Sequence, residues 1–240
     1  VRIWDGMMGK FGGSECKLVS TFEAAPDTLA GKRGAGLVTC WQQETGFLFC
    51  GGNSSHLRVW DISTEQIWTH WPINKQTCIT ALASPVTSCE SFERGGKGST
   101  PMIGSSVGSV VAGHRSGAIC MYDPRIGNGP CRSFMGHESW IVGLNFTGEM
   151  DGNELLSACA AGDVRFWDIR MLSRLRAMNI QRSPMTAVAV HSRIPVLASG
   201  SHDQFVKVLT LDGETLTGIR YHEGFLGQRI GPVSALDFHP

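Results

Sequence analysis

The side chains of this 240-residue chain that could do chemistry are eight histidines, eight cysteines and the serines and acids around them. A nucleophilic serine needs a histidine base, an acidic orienter and a strained turn from strand into helix; no such nucleophile elbow is found. A zinc-hydrolase His-Glu-x-x-His pattern is also missing. Gly95-Gly96-Lys97-Gly98-Ser99-Thr100 superficially suggests a phosphate cradle, but it lacks the spacing and the strand-to-helix context that aim backbone amides at a phosphate. Cys16, Cys40, Cys50, Cys78, Cys89, Cys120, Cys131 and Cys159 never approach Cys-x-x-Cys spacing, and most lie in apolar runs. They read as buried free thiols rather than as a zinc site or a disulfide framework. No catalytic residue, metal ligand or cofactor-binding residue is assigned, and no cofactor is implied.

Two tetrapeptides carry a different chemistry. Tyr122-Asp123-Pro124-Arg125 and Trp167-Asp168-Ile169-Arg170 each place an arginine two residues after an aspartate. The arginine can pair back onto that aspartate and fix a turn, or it can be offered to a partner. A third candidate is Tyr221–Gly231, where Tyr221, Phe225 and Leu226 stand beside Gln228 and Arg229 in a Gly-punctuated loop. Either these side chains tuck under the adjoining unit, or they form an apolar patch with a cationic rim, the composition enriched at interaction hot spots.

The elements that must position these residues are strands. Val1-Arg2-Ile3-Trp4-Asp5 recurs as Leu57-Arg58-Val59-Trp60-Asp61, Ile119-Cys120-Met121-Tyr122-Asp123 and Val164-Arg165-Phe166-Trp167-Asp168. Phe205-Val206-Lys207-Val208-Leu209 is a degenerate fifth copy. The last two intervals match the roughly 40–45-residue period of WD repeats, and the earlier ones are the same unit with insertions. Two short β-branched, small-apolar segments precede each copy and a weaker one follows it, so each unit has four antiparallel strands. That is a propeller blade. The fold class is therefore all-β, a WD-repeat β-propeller in one domain over residues 1–240. It comprises a part-blade over 1–22, complete blades at about 36–71, 78–134, 140–180 and 185–220, and the first strand of a further blade over 233–240. Residues 84–101 form an inserted Gly/Ser/Pro-rich surface loop. Ring closure removes the edges of such a fold, so the domain is expected to extend beyond this chain.

Within a WD unit, a Gly-His pair, a Ser or Thr on the second strand, a turn Asp and the third-strand Trp satisfy one another's buried polar atoms. Gly136-His137 with Trp167 is the clearest pair, although Ala161 stands where Asp is usual. Asp203 supplies the turn acid of the next blade, where Leu209 replaces the aromatic. His137, Trp4, Trp60, Trp167 and Asp203 are thus structural residues, and His137 is not a general base.

Bulk composition narrows the partners. Twenty-one basic residues balance 21 acidic ones, giving no excess charge to draw in nucleic acid or an anionic membrane. No apolar run reaches the roughly 18–20 residues of a membrane span, and no signal peptide opens the chain, so a soluble intracellular protein without membrane insertion is expected. Protein partners remain.

Gly224-Phe225-Leu226-Gly227-Gln228-Arg229-Ile230-Gly231, the Pro232–Pro240 segment after it and Arg33–Val38 with Trp41-Gln42-Gln43-Glu44-Thr45-Gly46 resemble the C-terminal propeller of the Raptor family, regulatory scaffolds of TOR complex one. Val164–Arg170 and Asp203-Gln204-Phe205 fit the same pattern, and order and spacing agree from about Gly31 to Pro240. The Ser84–Pro101 insertion is longer and more polar than that pattern. The resemblance implies a seven-bladed propeller behind a caspase-like domain and helical repeats that this chain does not contain. It implies a non-catalytic scaffold that supports TOR kinase and other complex subunits, presents substrates and serves nutrient signalling. It also implies cytoplasmic residence with recruitment to lysosomal or vacuolar surfaces through partners. The alternative is a WD substrate receptor of a cullin-4 ubiquitin ligase, using Arg125 and Arg170, or another WD adaptor.

Overall fold

The computed structural model describes residues 2–5, 17–21, 36–42, 45–74, 77–85, 108–127, 129–147, 153–220 and 231–239, with the backbone alone for 2–5 and 17–20. Alternating apolar and polar residues bounded by Gly, Asn and Asp form short strands, β1 to β18. The two-stranded sheet is β1 (Arg2–Asp5) with β2 (Lys17–Thr21), and four four-stranded antiparallel sheets follow. They are β3 (Leu37–Gln42) to β6 (Gln66–Pro72), β7 (Ile79–Ala83) to β10 (Arg132–Met135), β11 (Ile141–Thr147) to β14 (Ser173–Asn179) and β15 (Met185–Val190) to β18 (Thr215–Arg220). Within each sheet the strands pair in chain order, so every blade is a meander. The fold is a WD-type β-propeller.

Burial falls from the middle of a blade outward, as stacked sheets require. The second strands, β4 (Phe47–Gly52), β8 (Val110–His114) and β12 (Glu154–Cys159), are buried at every position. The outer strand β18 is exposed throughout. Three apolar clusters fill the spaces between successive blades: Phe49, Leu57 and Trp71 meet Ile79 and Tyr122; Val111 and Ile119 meet Ile141 and Leu155; Leu156 and Phe166 meet Met185 and Leu209.

Glycine sets how closely neighbouring blades approach. A Cβ on Gly113 would lie 2.6 Å from Ile141 of the next blade, and one on Gly200 would lie 2.5 Å from Val233. Val233 therefore occupies, on the fourth blade, the place that Ile141 takes on the second. Residues 231–239 nevertheless carry no strand pairing. A strand is defined by its ladder, and no second strand lies beside this segment among the described residues. Residues 86–101 of the insertion after β7 lie outside the described residues.

Connections between blades repeat one hydrogen-bonding scheme. The Gly117 carbonyl accepts from Gly136 and His137 N–H, both at 3.0 Å; Gly162 O accepts from Ile180 at 3.0 Å and Gln181 at 3.4 Å. Gly162 needs its freedom here: its φ is +94°, and a Cβ would collide with the Gln181 carbonyl.

Candidate functional site

The third strand β13 (Asp163–Asp168) fixes the buried polar group of its blade. Trp167 donates its indole N–H to Ser157 Oγ at 2.8 Å, and His137 Nε2 lies 2.7 Å from the same oxygen. His137 is 2% exposed, and its Nδ1 has no hydrogen-bond partner. Ala161, in the turn where an acid would meet that nitrogen, is the reason. Burial, with the Arg165 charge adding to it, depresses the imidazole pKa to about 4. The ring is therefore neutral at physiological pH and held between strands, an arrangement that satisfies an indole rather than activating a nucleophile.

The fourth blade solves the same problem differently. Gln181 Nε2 donates to Ser199 Oγ at 3.0 Å and to the Ser199 carbonyl at 3.3 Å. Gln181 thus stands in the histidine's place, which the sequence reading missed because no Gly-His pair marks it. Asp203, in the turn after β16 (Val196–Ser201), is exposed. The second blade has Ala112 in place of the serine, and its Tyr122 packs on Trp71 with ring centroids 5.3 Å apart. Trp60 is buried in the first blade, and Trp4 lies on β1, where the backbone alone is described.

The acids that end the third strands cap the turns behind them. Asp61 Oδ1 accepts from the Ser63 amide at 2.8 Å and from its hydroxyl at 2.6 Å. Asp123 accepts from the Arg125 amide and Nε, both at 2.9 Å, and from Nη2 at 2.7 Å. Asp168 repeats this with Arg170, with the amide at 2.8 Å and the guanidinium contacts at 3.4 Å. The arginine hydrogen bonds hold both carboxyls below the usual carboxylate range. The arginine side chains stay 67% and 56% exposed, so they brace the turn and still face solvent.

Outer strands reach across to the neighbouring blade. Trp71 donates to Gly127 O at 3.1 Å, and Arg132 to Ile169 O at 3.1 Å and Arg170 O at 2.8 Å. Arg176 lies 3.9 Å over the Phe166 ring, 3.0 Å from Asp212 and 3.5 Å from buried Glu154. The contacts of Trp71 with Gly127, of Arg132 with Ile169 and Arg170, and of Arg176 with Asp212 were not visible in the sequence, since each joins residues of different repeats.

No group of three or more His, Cys, Asp or Glu that could hold a metal occurs among the described residues. Burial pushes the Cys50 thiol up to about 12, and raises those of Cys40 and Cys120, which removes them as thiolate nucleophiles. Tyr221, Phe225, Leu226, Gln228 and Arg229 lie outside the described residues.

No protein-family model matches the chain. It is 33% identical over 243 residues to Regulatory-associated protein of TOR 1 of Arabidopsis thaliana, covering 100% of the chain and 16% of that protein. It is 31% identical over 233 residues to the Target of rapamycin complex 1 subunit mip1 of Schizosaccharomyces pombe, covering 93% of the chain and 16% of that protein. The crystal structure of Chaetomium thermophilum Raptor superposes with a TM-score of 0.70 at 26% identity, over 85% of the chain and 18% of that structure. The chain therefore spans about a sixth of the length of the relatives it matches, at 16% of each.

Proposed function

We propose that this chain, which belongs to the Raptor family, is a non-catalytic propeller scaffold of a TOR complex. The observation that carries this reading is identity of 33% maintained across the whole chain, joined to a structural match with Raptor itself. The polar groups of the blades agree with it: His137, Ser157 and Trp167 satisfy one another, and the turn acids cap backbone amides. The chemistry of this segment is therefore recognition through rims and loops.

In this reading the propeller supports TOR kinase and other complex subunits, and through them substrate presentation and nutrient signalling. The protein resides in the cytoplasm and reaches lysosomal or vacuolar surfaces through its partners. The cullin-4 receptor reading relies on Arg125 and Arg170, whose guanidinium groups are already engaged by Asp123 and Asp168. It has no further support.

Affinity purification of the full-length protein followed by mass spectrometry tests the proposal. Recovery of TOR kinase is the expected result; its consistent absence defeats the reading.

A further inference from the structure

The outer strands of the four-stranded sheets open on Gln66, Arg132, Ser173 and Thr215. Two of these residues carry a hydroxyl. The residue three positions earlier is Asp212 for Thr215 but Arg170 for Ser173, and Arg174 follows Ser173 directly. Arg170-Met171-Leu172-Ser173-Arg174-Leu175-Arg176 thus sets a serine among arginines in the outermost layer of the third blade. Arg170, Met171, Ser173, Arg174 and Leu175 are all exposed.

The turn that presents Ser173 is held loosely. Asp168 and Ser173 face each other as the closing pair of the β13–β14 hairpin. Leu172, just before the serine, has a φ of +51°, a left-handed conformation that is strained for a residue with a side chain. The clasp across the turn is long: both guanidinium contacts of Arg170 with Asp168 are at 3.4 Å, against 2.9 and 2.7 Å for Arg125 with Asp123. An exposed pair of that length holds weakly. A further arginine reaches in from the second blade, where Arg132 donates to the carbonyls of Ile169 and Arg170. No acid among the described residues pairs with Arg132 or Arg174. Arg132, Arg170 and Arg174 therefore meet one carboxylate, Asp168, at this hairpin end. The first blade builds the same turn without them: Asp61 pairs with Gln66 and Glu65 has a φ of +56°, but Ser63 stands where Arg170 does. Forming the turn does not require the arginines.

We propose that Ser173 is a phosphorylation site for a serine/threonine kinase that selects arginine three residues before its target, and that Arg170, Arg174 and Arg132 hold the phosphate. The Ser173 hydroxyl oxygen attacks the γ-phosphorus of ATP. The bond to the β,γ-bridging oxygen breaks, ADP leaves, and the hydroxyl proton passes to the kinase's catalytic base. The phosphate places about −1.5 to −2 charge opposite Asp168. Repulsion between the two anions, and the stronger acceptor oxygens of the phosphate, draw Arg170 off Asp168, which keeps the Arg170 amide. Arg132 ties the modified turn to the second blade, so the rim at this junction changes from cationic to neutral. The site goes beyond the scaffold reading and does not depend on which complex the propeller serves.

Incubation of the full-length protein with magnesium ATP and the catalytic subunit of cyclic-AMP-dependent kinase tests the site, with phosphate mapped by mass spectrometry. A peptide spanning residues 168–178 is the control for recognition of the sequence alone. Both are expected to be labelled at Ser173, and Arg170→Gln is expected to slow labelling about tenfold or more, Arg170→Lys less. A phosphatase is expected to clear the phosphate faster from Arg132→Gln than from the wild type. Hydrogen exchange of each variant establishes that β11–β14 are intact. Labelling of the peptide but not of the folded protein overturns the proposal, as does failure on both. Equal labelling of wild type and Arg170→Gln removes the recognition by arginine, and equal clearance from Arg132→Gln removes the grip on the phosphate.

Discussion

Ser157 Oγ receives the Trp167 indole N–H at 2.8 Å, and this bond joins the second and third strands of the third blade at its most buried point. His137 meets the same oxygen from the preceding connection, so one hydroxyl ties three segments together. Removing it leaves two buried polar groups unpaired. Ser157→Ala is expected to cost about 2–3 kcal/mol, since each orphaned buried group carries a penalty of roughly 1–3 kcal/mol. Hydrogen exchange of the full-length protein checks this: amides of β12 and β13 should lose protection while those of β4 and β5 (His56–Asp61) do not.

How much of this was legible follows from where each contact lies. Trp167 and His137 could be read because a Gly-His pair and an aromatic–Asp pair recur at a fixed period. The turn caps at Asp123 and Asp168 were legible for the same reason, their arginines being two residues away. Gln181 was hidden because an amide there matches no repeat pattern, although it bonds Ser199 as His137 meets Ser157. Arg132, Arg176 and Trp71 were hidden because each contacts a neighbouring blade, and periodicity within a repeat carries no information about its edge. Trp140 opens the 140–180 blade in the sequence; its stacking on Arg115 depends on how two blades abut. The Tyr221–Gly231 segment lies, apart from Gly231, outside the described residues.

Acid should weaken the third blade first. The folded pKa of His137 is about 4, below the ordinary value near 6.5, so the unfolded chain takes up the proton first as pH falls. Stability is thus full above about pH 6.5 and declines between there and about pH 4. Buried His114, whose pKa is also lowered by burial, acts in the same direction. Hydrogen exchange across this range should show β12–β14 opening progressively in the wild type. A His137→Gln protein should show a smaller pH dependence there.

Arg176 should matter more for Glu154 than for Asp212. Glu154 is 3% exposed and Asp212 has an 84% exposed side chain, so only the former loses a buried counter-charge when the arginine is removed. Arg176→Met is expected to cost about 1–3 kcal/mol, and Asp212→Asn less than about 1 kcal/mol. Limited proteolysis of the full-length proteins should release fragments from the third and fourth blades faster in Arg176→Met than in Asp212→Asn.

The turn at Gly162 should tolerate no side chain. Its positive φ and the Gln181 carbonyl beside it make Gly162→Ala strained whatever relaxes around it. A loss of about 1–3 kcal/mol is expected. Gly129, with open space at its Cβ position, is the control: Gly129→Ala should leave thermal unfolding unchanged.

Cross-linking mass spectrometry of the purified full-length assembly tests directly the proposal that this propeller is a protein-binding surface within a TOR complex. Cross-links from residues of this segment to TOR kinase or another subunit of the complex are expected. An assembly that contains the kinase and cross-links readily elsewhere, yet shows none from this segment, would contradict it.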